Sequence, residues 1–434
     1  MLHTKFSRFV MAASVAVFIP LAAFADTVAD GHGSYDDEIA MIKADARYQR
    51  AQAYIRANRD RSNQDLIELT EIPAPPFGEV TRGKRLAEML KDAGADEVSV
   101  DEVGNVIALR RGTEGKRVVA FGAHIDTVFP QETDVTVKVE GNRYIAPGVG
   151  DNTRGLVALL DILRMIEHGG FETRDHILFI GTVGEEGLGD LRGVKHLFRD
   201  GGPQIDSFIA IDGGGADRLV YGGVGSHRYR VTFHGPGGHS WGAFGLANPH
   251  HALGRAIAIL DANAPAVTSE GNKSSYSVGR IGGGTSVNSI PFESWMEVDM
   301  RSGDQSRLDM VDAVFQAAMQ QALAEENEGR ADGPALTVEV KMVGRRPAGV
   351  GNLSDPLIMR HMAASKAHGI DAIPSISSTD ANIPISMGIP AMTISRGGKS
   401  SRAHSLDEWW QDDDAHVAVE IAVLTVLSQA GVSN

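Results

Sequence analysis

The chain has 434 residues, of which 42% are hydrophobic and 22% are charged, and its formal net charge is −15. This length predicts two domains, and the excess of acidic residues argues against nucleic acid as a partner. Because the sequence contains no cysteine, disulfides and thiolate metal sites are excluded, and any metal must be held by His, Asp or Glu.

The first 25 residues have the pattern of a signal peptide. Lys5 and Arg8 accompany an apolar run over residues 10–24, and residues 23–25 (Ala-Phe-Ala) have the small-x-small form of a signal-peptidase site. The alternative, a retained membrane anchor, is disfavoured because the run is short. We therefore expect a periplasmic or secreted bacterial protein with no stable membrane insertion after cleavage of residues 1–25.

The rest of the first half alternates helical patterns with short apolar runs, and the alternation resumes near the C-terminus. The predicted helices are 37–71, 82–93, 155–167, 195–199, 357–368 and 415–429. The predicted strands are 118–123, 177–183, 208–211 and 391–395. This alternation predicts an α/β catalytic domain in which a mostly parallel sheet is flanked by helices.

The segment between these two regions has a different rhythm. Its predicted elements are strand 229–233, helix 249–263, strands 276–281 and 293–301, helix 308–325 and strand 336–342. This βαββαβ order is typical of an α+β ferredoxin-like unit. We therefore expect an inserted domain over residues 223–342 and a discontinuous catalytic domain formed by residues 26–222 and 343–434.

Histidine and acidic residues cluster just beyond the carboxyl ends of predicted strands, where α/β sheets place their sites. The candidates are His124, Asp151, Glu185, Glu186, Asp212 and His404. Each has an ordinary structural alternative: Asp151 suits a helix N-cap, and the Glu pair suits a solvated loop. Their joint occurrence indicates a two-metal hydrolytic site with a free Glu for proton transfer. Asp126, two residues beyond His124, is suited to orient that imidazole.

The order His-x-Asp, Gly-Asp-Asn, Glu-Glu-Gly, Asp-Gly-Gly resembles that of the co-catalytic di-zinc exopeptidases and deacylases. This family includes glutamate carboxypeptidase, peptidase T, aminoacylase, acetylornithine deacetylase and succinyl-diaminopimelate desuccinylase. The resemblance runs from near Leu66 to the C-terminus. It implies a zinc exopeptidase-like catalytic domain with two Zn²⁺ ions per subunit, with Co²⁺ or Mn²⁺ as alternatives.

The resemblance also implies a role for each candidate residue. It assigns His124 and Asp212 to one zinc, Glu186 and His404 to the other, Asp151 to the bridge, Glu185 to the general base, and Asp126 to the support of His124.

The inserted segment resembles the lid and dimerisation domain of this family. His239, in the string Gly-Gly-His-Ser, resembles the histidine that stabilises the tetrahedral oxyanion, and in relatives it often comes from the partner subunit, which implies a homodimer. Asn288 and Arg301 resemble the pair that binds a substrate carboxylate. The simpler alternative for Arg301 is an ion pair with Asp299 or Asp304.

These features predict an exported zinc-dependent exopeptidase that hydrolyses the amide bond of di- and tripeptides with metal-activated water. The strings Glu71–Pro75 and Ser378–Asn382 resemble the peptidase T-like branch, although the second string also suits a simple turn. An N-acyl-amino-acid or N-carbamoyl amidohydrolase is the alternative enzyme. A periplasmic binding protein that retains the fold is the alternative without catalysis.

Overall fold

The computed structural model describes residues 32–433, so the expected signal peptide lies outside the described residues. The helices are α1 His32–Ala44, α2 Ala46–Ala57, α3 Arg59–Thr70, α4 Val80–Asp92, α5 Gly155–Gly169, α6 Arg192–Leu197, α7 Pro249–Asn263, α8 Pro265–Thr268, α9 Gln305–Glu328, α10 Pro356–Lys366, α11 Asn382–Ser386 and α12 His416–Ala430. Among residues 32–433, no helix combines the length and the apolar character needed to cross a membrane.

The strands follow the same numbering in chain order. They are β1 Glu97–Val100, β2 Val106–Arg110, β3 Val118–His124, β4 Lys138–Glu140, β5 Arg143–Ile145, β6 His176–Thr182, β7 Ser207–Ile211, β8 Arg218–Gly223, β9 Gly225–His234, β10 Gly238–His239, β11 Ser274–Gly283, β12 Ser289–Ile290, β13 Glu293–Ser302, β14 Thr337–Arg346, β15 Gly349–Val350, β16 Ile373–Ser377, β17 Ala391–Ile394, β18 Lys399–Ser401 and β19 Trp409–Gln411.

A nine-stranded sheet organises the larger part of the molecule. Its order is β1-β2-β6-β3-β7-β17-β8-β15, and β16 pairs with β8. The four central strands β6, β3, β7 and β17 are parallel. The β1–β2, β2–β6, β17–β8 and β8–β15 pairs are antiparallel, whereas β16 pairs in parallel with β8. The central strands are apolar and almost wholly buried because helices cover the sheet. The predicted α/β class with a mostly parallel central sheet is confirmed.

This sheet is assembled from two distant parts of the chain. β17 pairs in parallel with β7, with Ala391 opposite Phe208 and Ile394 opposite Ile211. Helix α12 lies in the same hydrophobic core as α5. Its Glu420 accepts a hydrogen bond from Arg56 of α2 at 2.7 Å. The residues before and after the inserted segment therefore share one core.

The inserted segment forms a separate four-stranded antiparallel sheet in the order β11-β13-β9-β14. Helices α7 and α9 pack against it, and Phe233, Met300 and Phe315 belong to a second hydrophobic core. The first and third strands of the βαββαβ unit are central, as in the expected ferredoxin-like arrangement. The domain limits at residues 222 and 343 stay a prediction.

The prediction of one long helix over residues 37–71 is wrong, because the chain forms α1, α2 and α3 there. Asp45 interrupts the first helix and caps the second, since its side chain accepts a hydrogen bond from the Arg47 backbone N–H. Asn58 separates the second and third helices. Short Asp and Asn side chains bond to the nearby backbone and so compete with a continuous helix.

Candidate active site

The predicted metal ligands and Glu185 meet at the carboxyl end of the central parallel strands. His124 is the last residue of β3, Asp212 directly follows β7, and Glu185 and Glu186 lie just beyond β6. Because β6, β3 and β7 are adjacent and parallel, residues at their ends come together at one edge of the sheet. His404 reaches the same place from the loop between β18 and β19.

Asp151 lies between two histidines. His124 Nε2 is 3.3 Å from Asp151 Oδ1, and His404 Nε2 is 3.4 Å from Asp151 Oδ2. The ligand atoms of His124, Asp151 and Asp212 lie within 4.8 Å of one another, as do those of Asp151, Glu186 and His404. Asp151 therefore belongs to two separate groups of possible metal ligands.

The electrostatics of these groups favour a bound cation. Hydrogen bonds to Asp151 and Glu186 raise the pKa of His404 to about 10. Burial would lower the pKa of His124, but Asp126 and Asp151 hold it well above its usual value. Surroundings that favour a proton on two imidazoles also favour a divalent ion, and a set of His and carboxylate donors fits zinc, cobalt or manganese.

Asp126 is fully buried behind the Glu pair. Its Oδ1 accepts a hydrogen bond from the Glu185 N–H at 3.0 Å, and its Oδ2 accepts one from the Glu186 N–H at 2.8 Å. The Asp126 carboxylate is 3.7 Å from His124 Nδ1, whereas the Asp126 backbone oxygen is 2.9 Å from that nitrogen. Asp126 therefore contacts both His124 and the Glu185–Glu186 pair, and its carboxylate chiefly fixes the backbone of that pair.

Glu408 fixes the loop that carries Asp151, and the sequence had not indicated it. Its carboxylate accepts hydrogen bonds from the N–H groups of Gly148 and Gly150, each at 3.0 Å, and of Asp151 at 2.7 Å. Glu408 is buried although it follows a polar loop. The one signal in the sequence is its position directly before two tryptophans, of which Trp410 is buried in the core.

Two arginines also enter the site without a sequence signal. Arg346 Nη1 lies 2.7 Å from Glu185 Oε1 and 2.9 Å from Ser378 Oγ. Burial raises the pKa of Glu185 to about 8, and the positive charge of Arg346 opposes that rise. Arg396 Nη1 lies 3.4 Å from both Asp151 Oδ1 and Asp212 Oδ1.

A cavity of about 330 Å³ opens over these residues, between the larger part and the inserted sheet. Arg301 lines it, and Arg301 also pairs with Asp299 at 2.7 Å, so the ion pair offered as the simpler alternative is present, while binding of a substrate carboxylate stays a prediction. His239 and Asn288 do not line this cavity in the described chain. Both are exposed: His239 ends β10 and Asn288 directly precedes β12, and the Ser240 N–H donates to the Asn288 backbone oxygen at 2.9 Å.

Comparisons with known proteins agree with this fold. The model of Peptidase family M20/M25/M40 matches residues 120–428, which is more than half of the chain. YqjE of Bacillus subtilis (strain 168), an uncharacterized protein, is 23% identical over 358 residues, which is 78% of this chain and 91% of YqjE.

Two solved structures have the same fold. Aminopeptidase PepT from Bacillus cereus ATCC 10987 superposes with a TM-score of 0.68 at 21% identity, over 86% of this chain and 99% of PepT. An amidase of the hydantoinase/carbamoylase family from Burkholderia vietnamiensis superposes with a TM-score of 0.65 at 17% identity, over 86% of this chain and 97% of the amidase.

Proposed function

The chain belongs to Peptidase family M20/M25/M40, a family of metal-dependent hydrolases, and from this premise we propose that it is an exported di-zinc exopeptidase for di- and tripeptides. The observation that carries the proposal is the position of Asp151 in two groups of ligand atoms at the mouth of one cavity. A two-metal hydrolytic site requires one carboxylate that both ions can share and further ligands that serve each ion separately. Asp151 could be the shared carboxylate, because it belongs to both groups.

Five side chains would hold the two metals. They are His124 and Asp212 for one ion, Glu186 and His404 for the other, and Asp151 for both. When bound, the metals would polarise the substrate carbonyl and lower the pKa of water. Zinc suits the donor set, and cobalt or manganese would suit it as well.

Glu185 would move the proton in this reaction. In this role it takes a proton from the attacking water and delivers it to the leaving amine. Glu185 is buried at the cavity, its backbone is fixed by Asp126, and its carboxylate contacts Arg346. These contacts hold the Glu185 carboxylate in a defined position. Efficient proton transfer requires such positioning.

The inserted sheet would bind substrate and complete the site in a homodimer. Arg301 lines the cavity of its own chain and would bind a substrate carboxylate. Asn288 lies beside His239 and away from that cavity, so it would assist Arg301 only from the partner subunit. His239 would stabilise the oxyanion from the partner subunit. Its exposure on the β10–β12 pair, away from the cavity of its own chain, supports action in the neighbouring subunit.

The test is a substrate panel with purified protein. We expect two equivalents of metal per chain and hydrolysis of di- or tripeptides, with turnover lost in Glu185→Ala while the metal is retained. A Glu102→Ala variant, which changes an exposed residue, is the control. If Glu185→Ala keeps turnover, the assignment of the base is wrong, and if metal binds without turnover of any amide, the chain is a binding protein.

A second candidate function is an N-acyl-amino-acid or N-carbamoyl amidohydrolase. The amidase from Burkholderia vietnamiensis has the same fold as this chain, and this likeness supports the second candidate function. The same panel therefore contains N-acyl and N-carbamoyl amino acids beside the peptides. Faster turnover of those compounds than of every peptide would select this function.

Export has its own test. The apolar run and the Ala-Phe-Ala string support cleavage after residue 25. We expect mass spectrometry of protein from the periplasm of a bacterial host to give a mature chain that begins at Asp26. Full-length protein in the cytoplasm would contradict export and leave the enzymatic proposal unchanged.

A further inference from the structure

Five arginines line the cavity. Arg228, Arg301 and Arg346 reach it from the inserted sheet, and Arg218 and Arg396 reach it from the larger part. The carboxylates that line the same cavity are four, of which three are proposed metal ligands. With those three engaged by metal, the guanidinium groups make the cavity strongly attractive to anions.

Two of these arginines share a single carboxylate. Arg228 Nε lies 2.9 Å from Asp299 Oδ1, and Arg301 Nε lies 2.7 Å from Asp299 Oδ2. Arg228 and Asp299 are directly opposite each other on β9 and β13, so the three side chains lie on one face of the sheet. One negative charge therefore compensates two positive charges at the wall of the cavity.

The contacts to Asp299 use Nε and leave Nη groups for other partners. Arg228 Nη1 donates to the backbone oxygen of Gly187, next to Glu186, at 2.7 Å. The Arg301 side chain is 41% exposed and lines the cavity, and its hydrogen bond to Asp299 uses Nε rather than an Nη group. A guanidinium that presents two Nη groups binds a carboxylate with two parallel hydrogen bonds.

The same arrangement recurs farther along the sheet, outside the cavity. Arg230 Nη1 lies 2.9 Å from Glu297 Oε1, and Arg280 Nη1 lies 2.9 Å from Glu297 Oε2. Arg230 is on the same strand as Arg228, two residues away, but does not line the cavity in the described chain. This second set supplies a matched control for the first.

We propose that Arg228 and Arg301 together bind the two carboxylates of a C-terminal glutamate or aspartate, so that the enzyme prefers substrates that end in an acidic residue. The inference rests on the proposed function, in which Arg301 binds the terminal carboxylate. Arg228 then receives the side-chain carboxylate, since Asp299 holds the two guanidinium groups next to each other.

The test uses a pair of substrates with the same shape and different charge, Ala-Glu and Ala-Gln. We expect kcat/KM to be at least about 10-fold higher for Ala-Glu, because its side-chain carboxylate accepts charge-assisted hydrogen bonds from a guanidinium that the neutral amide of Ala-Gln cannot match. Arg228→Gln should lower kcat/KM for Ala-Glu by about 10-fold or more and change that for Ala-Gln by less than about threefold. Arg230→Gln should leave both values unchanged.

N-acetyl-glutamate and N-acetyl-glutamine make the same comparison for the deacylase alternative. Equal rates for the charged and neutral substrates in the wild type would overturn the inference. Equal losses for both substrates in Arg228→Gln would also overturn it, because they would assign Arg228 only to the support of Gly187.

A binding measurement separates this inference from the proposed function. Calorimetric titration of the zinc-loaded protein with L-glutamate and L-glutamine requires no turnover. We expect tighter binding of glutamate in the wild type and loss of that preference in Arg228→Gln. A glutamate preference without hydrolysis of any amide would refute the proposed function alone, whereas peptide hydrolysis without this preference would refute the inference alone.

Discussion

Arg346 and Glu185 form an ion pair in which Arg346 Nη1 lies 2.7 Å from Glu185 Oε1, while Arg346 Nη2 donates to the Glu185 backbone oxygen. Both side chains are buried. Arg346 ends β14 of the inserted sheet, and Glu185 belongs to the loop after β6. The pair therefore connects the position of the inserted sheet to the proposed proton carrier.

Replacing Arg346 by Met should impair both catalysis and folding. We expect kcat to fall about 10-fold to 100-fold, because Glu185 loses the contact that positions it. The free energy of unfolding should fall by about 3 kcal/mol, since a buried charge loses its partner. Steady-state kinetics and urea denaturation measure the two effects. Arg345→Met, which alters the exposed neighbour, is the control, and an unchanged kcat would refute the role.

Asp126→Asn should weaken metal binding without removing a ligand. The amide keeps one oxygen but points an NH₂ group at one of the two N–H groups of Glu185 and Glu186. We expect the zinc dissociation constant to rise about 10-fold to 100-fold, as for other residues that support ligands. Competition with a chromogenic chelator measures it. Asp134→Asn, at an exposed site, should bind zinc like the wild type.

Glu408→Ala should disorder the loop of the bridging carboxylate. Three N–H groups, those of Gly148, Gly150 and Asp151, lose their acceptor. We expect a loss of about 2–4 kcal/mol in the free energy of unfolding and weaker zinc binding by about 10-fold or more. Thermal denaturation with and without zinc measures both. Normal zinc affinity in this variant would show that the loop holds its shape without Glu408.

Two inactive variants should restore activity when they are mixed, if His239 acts in the neighbouring subunit. His239→Ala and Glu185→Ala each remove one part of every site in their own homodimers. After unfolding and refolding together, half of the dimers are mixed, and each mixed dimer has one complete site. We therefore expect roughly a quarter of wild-type activity. No recovery, with dimers present by light scattering, would place His239 in the site of its own chain.

Glu420 should make the fold sensitive to acid. Burial alone would raise the pKa of Glu420, but hydrogen bonds from His368, Arg56 and Gln52 lower it to about 2, against a usual 4.5. This lowered pKa stabilises the fold above about pH 4.5, and the contribution is lost as the pH falls toward 2.

Glu420→Gln should therefore be less stable than the wild type at neutral pH, by on the order of 1–2 kcal/mol after allowance for solvent screening. The difference should shrink between pH 4.5 and pH 2. Chemical denaturation at a series of pH values measures it, with exposed Glu172→Gln as the control. A difference that does not change with pH would refute the electrostatic explanation.

The sequence predicted which side chains lie together at the edge of the large sheet, because strand ends carry a strong local signal. The runs before His124, Glu185 and Asp212 are short and wholly apolar, and such runs become buried parallel strands whose ends coincide. The local pattern indicates Asp151 and His404 less directly, since Asp151 precedes a predicted helix and His404 lies in a loop after the predicted strand 391–395. The assigned roles stay predictions until the variants are measured.

Arg346 and Arg396 were missed because their partners are distant in the chain. Arg346 and Glu185 are 161 positions apart, and Arg396 and Asp151 are 245 positions apart. An arginine at a strand end or in a polar loop has the same local pattern whether it faces solvent or a buried carboxylate. The antiparallel strands at the edges of the large sheet were also missed, because their local pattern is weak. β1, for example, is short and largely exposed.

The pairing of β7 with β17 also bears on the order in which the molecule forms. The core of the inserted sheet contains only residues from within the insert. The large sheet, in contrast, is complete only when β17, near the end of the chain, has paired with β7. Glu186 and His404, 218 positions apart, meet only after that strand has docked. Domains tend to fold in the order in which they are completed, and a metal site absent from the unfolded chain cannot bind its ions. A chain that crosses a membrane unfolded would therefore cross it without metal and acquire its ions at its destination.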